Sequence, residues 1–599
     1  MSFERGNYGY SKSAEKLASS FERKTYAFDD FNGKISDKIV NMGKNKGMLS
    51  TLSLPQKRSE NVISDELTGT GAIKAICREG EITVMRIGNS AYAMTQSNSL
   101  VLISANCFSG ARTTIFYMDG DYYATDETRI MKITPELTTS YISVSTPLIY
   151  TNVPASGTVS TINETPNALS PYVKVRFKIS SQTTKLTVPS SIEVESIESL
   201  NWASNNVSIA KTKYSLAKSG GVASINITQG VAADVVATIK LGYTSDDTKF
   251  SMNMVDDSMK AILYSPISFT IAQNTSDFKS LTGTLGGDTK LYVTKLNTFN
   301  KIDLGTTEVF DLDMIPNAML PYADGYMLFA DKRIMFIKVD FDGTNVSIEK
   351  NIIRRDFGCD MPRSAVAIDD KIFFGNSCGG IFYLNKFGYT EKDCSCQISA
   401  AIDEKLLSHG EDELAGAVAA VTGTRYIITV GEDTYMWHFS DELPSNVTEP
   451  AEKREKYSWS ELDFIKASDY ILTEGEMIYY IDVTDSDVYF FDALKYADDD
   501  DIVYSCFESN DMDFDSNAEK VITKINIAAL PSDDLTVNVY YDGAPAKSTY
   551  TVSPLDFETV CTYCVKPERH KCRNVKIKIS GEKPFSLDSV SFEYFETGR

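Results

Sequence analysis

Histidine is scarce in this chain, with three in 599 residues. Acid–base chemistry built on imidazole is therefore confined to His409, His438 and His570. No run approaches the roughly 18 consecutive apolar residues of a membrane span. The first 30 residues mix charges with aromatics and hold no apolar h-region, so no secretory signal is expected. Heptads and long helical periodicities are missing, as are P-loop and dinucleotide fingerprints. The ten cysteines follow no framework spacing, which predicts reduced, mostly buried thiols. Basic residues are outnumbered, 59 to 82, for a net charge of −23. That balance disfavours binding to phosphate backbones, which needs clustered Lys and Arg. It does not exclude DNA passing nearby, because a channel that polymer slides through works better if it repels it.

Strand formers are abundant, including 32 Tyr and 30 Phe. A hairpin signature recurs six times: GNSAYAMTQSNSLVLIS (88–104), GDYYATDETRIMKI (120–133), DGYMLFADKRIMFIKV (324–339), DDKIFFGNSCGGIFYL (369–384), GTRYIITVGEDTYMWHF (423–439) and EGEMIYYIDVTDSDVYFF (474–491). Each copy is a polar turn, a strand rich in aromatic or aliphatic residues, a second turn and a second strand. From the third copy on, starts fall roughly 45 to 54 residues apart, the range of one propeller blade. A blade cannot bury both faces alone, so several must stack around an axis. The expected fold is all-β: a divergent six-bladed β-propeller with an inserted immunoglobulin-like sandwich and a C-terminal β-sandwich.

The expected boundaries follow composition. Residues 1–70 read as an N-terminal arm or docking segment, with an amphipathic helix at 11–23. MGKNKGM (42–48) and LPQKRSE (54–60) read as exposed linker. Such a segment either folds on a neighbour or supplies a strand that closes the propeller. Residues 71–150 hold the first blades. TNVPASGTVSTINETPNALSP (151–171) reads as a linker. VKVRFKI (173–179) then alternates strictly, and short strands follow at about ten-residue spacing, with Trp202 as a core candidate. The inserted domain is placed at 151–250, the remaining blades at 251–500 and the C-terminal sandwich at 501–599.

Four motifs invite chemistry. GNSCG (375–379) matches the nucleophile-elbow pattern around Ser377, but a strand follows where that motif needs a helix, so a hairpin turn is expected. Cys561, Cys564, His570 and Cys572 supply zinc-type ligands, in a spacing that matches no common structural zinc site. DMDFD (511–515) imitates the start of a calcium loop, yet Ser516 stands where the loop needs Gly and Ile522 where it needs Glu. Asp498 to Asp501 read as a solvated charge run. Tyr and Phe of the hairpins, such as Tyr122, Phe373 and Tyr479, are expected in the core between blades rather than on a sugar platform. No catalytic residue, cofactor or metal is assigned.

The order of parts resembles tailed-bacteriophage virion proteins of the packaged-DNA-stabilisation and tail-nozzle type. The likeness lies in WSELDF (459–464) before the last hairpin, then KVITKINIAALPSDDLTVNVYYDG (520–543), and the closing NVKIKISG (574–581) and SLDSVSFEYFETGR (586–599). It covers 310–599 best and leaves about 151–249 unexplained. The resemblance implies a non-enzymatic component of a tail or neck, assembled in the host cytoplasm. It implies a ring, usually of six copies, that surrounds or closes the DNA channel below portal and adaptor. The implied partners are other copies, portal, adaptor and tail proteins, and passing DNA without sequence-specific binding. A host glycan could meet the inserted domain, which is the adhesin alternative; a propeller glycosidase is the third reading.

Overall fold

The computed structural model describes residues 23–29, 36–45, 48–57, 73–77, 81–94, 100–108, 113–118, 120–125, 130–141, 146–153, 161–163, 172–190, 192–241, 261–270, 277–285, 289–293, 309–322, 325–341, 346–385, 395–439, 457, 459–484, 488–498, 501–544, 548–555 and 559–597. The chain is almost all β. Among the described residues the α-helices are two short ones, α1 (Asp403–Leu406) and α2 (Glu411–Ala415). The chain divides into two compact units: Lys74–Phe357, and a second made of Met1–Ile73 with Gly358–Arg599.

The recurrent element is a four-stranded antiparallel meander; among the described residues six are separate sheets and a seventh, 418–461, belongs to a nine-stranded sheet, one more than the six hairpins of the sequence. The uncounted one runs through Ala261–Thr270, Asp277–Leu285, Lys290–Val293 and Val309–Asp311. Its sequence GGDTKLYV (286–293) has the common pattern, but the strand before it, DFKSLTGTL (277–285), holds Phe278 as its one aromatic. Six of the quoted hairpins are pairs of neighbouring strands within the other meanders.

In the unit Lys74–Phe357, consecutive meanders share cores. The meander from Ile73 to Ser104 and the next, Thr114 to Tyr141, meet through Val84, Ala91, Tyr122 and Met131. Buried Arg86 reaches from one to the approach of the other, donating from Nη1 to Thr113 Oγ1 at 2.6 Å. The meanders at 261–311 and 318–354 meet through Leu291, Val293, Tyr326 and Met335.

Between these pairs lies a two-sheet sandwich. Its five-stranded sheet orders Thr161–Asn163, Leu148–Val153, Tyr172–Ile179, Val235–Leu241 and Val194–Trp202; its three-stranded sheet orders Thr183–Thr187, Val222–Val231 and Tyr214–Ser219. The alternation of 173–179 is realised: Val173, Val175 and Phe177 are fully buried in the core that both sheets share. Trp202 packs against that core, half-buried. The linker reading of 151–171 fails in part, because Leu148–Val153 pairs in parallel with Tyr172–Ile179 and carries Ile149 into the core. The module thus starts at 148. Leu148–Val153 lies between Thr161–Asn163 and Tyr172–Ile179, so Thr151 and Asn152 sit inside the sheet although Asn is uncommon in strands.

In the other unit, the meanders at 361–397 and 418–461 stack through Phe373, Tyr383, Tyr426 and Trp437. The meander at 467–492 stacks on the second of these through Ile427, Met436, Ile478 and Tyr480. Helices α1 and α2 connect the first two and seat Leu406 and Leu414 on their shared core. The C-terminal residues form a sandwich whose core draws on Ile525, Val537, Ile577 and Phe592.

Candidate functional site

The described residues of the N-terminal segment, within 23–57, form five strands that pair with the body of their own unit. Arg23–Phe28 pairs antiparallel with Phe585–Glu596. Ser36–Val40 pairs antiparallel with Ser505–Ser509 and touches Trp459–Glu461 in parallel at Val40 and Glu461. Met42–Asn45 and Met48–Thr51 make a hairpin, and Leu49–Ser50 pairs with Ser586–Leu587. Gln56–Lys57 pairs with Tyr489–Phe490 as the fourth strand of the last meander. The expected linkers at 42–48 and 54–60 are therefore strands where described. Lys46, Gly47 and 58–60 lie outside the described residues, as do 11–22 of the expected helix, while Arg23 opens a strand.

The sequence supports this locally through spaced apolar residues. Ile39, Met42 and Leu49 enter the sandwich core, while Leu52 enters the meander core with Val418, Leu462 and Phe491. One short stretch thus anchors in two cores. As a result the meander at 418–461 and one sandwich sheet fuse into a single nine-stranded sheet through Ser36–Val40.

Asn41 sits at the joint, buried and left-handed with φ 55°. Its backbone N–H donates to Glu461 O at 2.8 Å, and its carbonyl accepts from Leu52 N at 2.9 Å. Its Nδ2 donates to the Asp463 carboxylate and to Tyr504 O at 2.9 Å, and Oδ1 accepts from Asp463 N at 3.1 Å. Asn is among the few side chains that tolerate this conformation.

Ion pairs flank the joint. Lys38 meets Glu461 at 2.9 Å, and Lys405 of α1 reaches the same carboxylate. Lys576 meets Asp37 at 2.5 Å and Glu508 at 2.7 Å. Burial pulls both the Lys38 and Lys576 ammonium groups down, but the carboxylates outweigh it and leave each above its ordinary value. At the far end Lys24 meets Glu596 at 2.7 Å, and hydrogen bonds from Lys24 and Ser516 hold that carboxyl below its usual range.

Ser377 lies in a hairpin turn between Lys371–Asn376 and Gly380–Asn385, and both its N–H and Oγ donate to Asp360, so no imidazole activates it. The glycines there serve packing: a Cβ on Gly375 would lie 2.7 Å from the Met361 sulfur. Cys561 pairs opposite Ala529 and Cys572 opposite Lys520 on the same strand, nine residues apart. That separates them by about 30 Å, so the zinc candidates do not converge. Cys564 faces solvent, buried Cys572 donates to Lys520 O at 3.7 Å, and the His570 ring lies 5.2 Å from the Tyr541 ring at a tilt of 50°. Asp511, Asp513 and Asp515 are exposed and alternate with buried Met512 and Phe514. Among the described residues no three His, Cys, Asp or Glu side chains group as metal ligands. Tyr122 and Phe373 are fully buried, and Tyr479 nearly so.

No protein-family profile matches the chain, and no curated protein does. Among solved structures, the computationally designed Ika8 protein aligns at 8% identity over 72% of this chain and 97% of its own, with a TM-score of 0.29. The Pan2 WD40 domain of Neurospora crassa aligns at 6% identity over 75% of this chain and 98% of its own, with a TM-score of 0.31. Likeness at that level carries no argument about the fold.

Proposed function

We propose that the seven meanders are the blades of one β-propeller, that 148–241 is an immunoglobulin-like sandwich inserted between blades, and that the protein is a non-enzymatic structural component of a bacteriophage tail or neck. In this reading several copies form a ring around the DNA channel, or close it, below the portal and adaptor. The observation that carries it is the nine-stranded sheet through Ser36–Val40. Domains in one chain move relative to each other by default unless their interface is extensive. Here the 36–52 stretch ties a meander to the C-terminal sandwich: Ser36–Val40 is hydrogen-bonded to both, its neighbours enter the core of each, and Asn41 bridges Asp463 and Tyr504. Such stiffness suits a wall that must hold shape while DNA passes. The charge of −23 per chain suits the same task, because carboxylates along a lumen repel the polymer.

Electron microscopy of the purified full chain tests this. The expected image is a closed ring of several copies with an axial channel whose lining has more Asp and Glu than Lys and Arg. A monomer, a ring without a channel, or a basic lining would overturn it. The second reading, an adhesin, draws on the charge of the 148–241 sandwich.

A further inference from the structure

The sandwich is the electrostatic exception in this chain. Residues 148–241 hold eight cations and five carboxylates, a net of +3, whereas the remaining residues carry −26. With charges screened beyond about 8 Å at physiological ionic strength, a molecule on the sandwich surface meets the local excess rather than the distant acid.

The excess is organised on the outer face of the five-stranded sheet. In Tyr172–Ile179, Val173, Val175, Phe177 and Ile179 point inward, which places Lys174, Arg176 and Lys178 outward in one row. Successive outward residues lie about 6.7 Å apart, so the row spans about 13 Å. On one side, the parallel neighbour strand sets Tyr150 beside Arg176, 38% exposed. On the other side, Lys174 pairs with Thr238, and Thr238 in turn with Ser199. Of the carboxylates on this sheet, Asp234 holds Arg176 at 3.2 Å, Glu195 holds Lys240 at 3.0 Å, and exposed Glu198 accepts from Ser196 Oγ at 2.6 Å. Lys174 and Lys178 are exposed and form no ion pair with a described residue.

We infer that this face binds an anionic polysaccharide. The cation row fits regularly spaced acid groups on an extended chain. The Tyr150 ring offers an apolar face to a sugar ring, and the hydroxyls of Thr238 and Ser199 answer sugar hydroxyls. Single-stranded nucleic acid is the competing polyanion, but it requires several exposed rings for successive bases. Tyr150 is the one Tyr of this row above one-third exposure; Tyr172 is half-buried. The inference rests on the adhesin component of the reading above and not on the ring.

Binding of the full chain to immobilised polygalacturonate tests it, with the methyl-esterified polymer, dextran and oligo(dT) as comparators. The expected results are binding to the acid polymer that weakens with salt and at least tenfold weaker binding to the ester and to dextran. K174E/K178E and Y150A should each lose at least tenfold with an unchanged melting temperature, while K185E on the opposite sheet retains binding. Equal binding to the ester, oligo(dT) bound as tightly as the acid polymer, no binding to the acid polymer, or K174E/K178E binding like the parent would each overturn the inference. A ring seen by microscopy with no polysaccharide bound would refute this inference alone; polysaccharide bound by a monomer would refute the conduit alone.

Discussion

Asn41 grips Asp463 with both ends of its amide: Nδ2 donates to the carboxylate while Oδ1 accepts the Asp463 N–H at 3.1 Å. A residue near the start of the chain thus fixes the connector between the last two meanders. The same amide reaches Tyr504 O, at the entry to the C-terminal sandwich.

Asn41→Gly keeps the left-handed backbone and deletes these bonds. Leaving Tyr504 O and Asp463 N–H without partners should cost about 2–3 kcal/mol. Asn41→Ala should cost about 1–2 kcal/mol more, since its Cβ clashes at φ 55°. Denaturant unfolding followed by Trp437 and Trp459, buried in the same unit, gives the comparison. Ala and Gly variants of equal stability would show that the conformation is not the constraint.

Leu52 and Leu54 separate anchoring from exposure. Leu52 is fully buried in the meander core, and Leu54 is 42% exposed. Leu52→Ala should cost about 2–5 kcal/mol and Leu54→Ala within about 0.5 kcal/mol. Similar losses at both positions would mean the segment is held by backbone pairing alone.

This seam is also where the sequence was hardest to read. The hairpins around Phe373 and Tyr479 announce themselves because two long apolar strands flank a short turn. Ser36–Val40 and Met48–Thr51 are four or five residues long, too short for alternation to stand out from GKNKG and similar turn chemistry. Beyond the local pairing of Met48–Thr51 with Met42–Asn45, both pair with strands more than 400 residues away, and no local pattern encodes that pairing. The meander at 261–311 is less legible for a different reason, since Thr, Ser and Gly interrupt its apolar runs, as in SLTGTL (280–285). The strict alternation of 173–179 was legible because one face is buried throughout. The Cys561–Cys572 motif looked compact along the chain, yet its cysteines pair with opposite ends of one strand.

That separation predicts thiol behaviour. Burial pushes the Cys359 and Cys572 thiols up to about 12, and both should resist alkylation at pH 8 until the protein unfolds. Exposed Cys378 and Cys564 should label first. Chelators should leave the melting temperature unchanged in the parent and in C561S/C564S. One retained zinc per chain after dialysis would contradict the geometry.

Acid should loosen two contacts at once. Hydrogen bonds from Lys24 and Ser516 lower the Glu596 pKa, and the Gly410 N–H and His409 lower that of Glu413. A carboxyl with a depressed folded pKa stabilises above its ordinary value of 4.5, and that contribution fades as pH falls through the folded value. The melting temperature should decline below about pH 4.5, and Lys24→Ala should shallow the decline. An identical acid limb in the parent and K24A would remove Glu596 from the account.

Consecutive meanders meet at an ion pair with one fully buried partner. Arg425 is fully buried, and burial lowers its pKa even though Tyr496 and Glu476 support the charge. Glu476, in the turn before Met477–Asp482, accepts from Thr422 Oγ1 at 2.5 Å and Thr424 Oγ1 at 2.8 Å. Its Oε2 lies 4.0 Å from Arg425 Nη1, which in turn donates to Thr424 Oγ1 at 2.6 Å. Gly423 makes room, because a Cβ there would sit 2.9 Å from the carboxylate. Glu476→Ala removes one support of a buried guanidinium, with Tyr496 remaining, and should cost about 1–3 kcal/mol. Removing both charges, as R425M/E476L, should recover much of that loss, since a buried pair often breaks even with apolar groups of similar volume. If the double variant is as unstable as the sum of the singles, the two side chains are not coupled, and the meanders are held together by their aromatic and aliphatic cores alone.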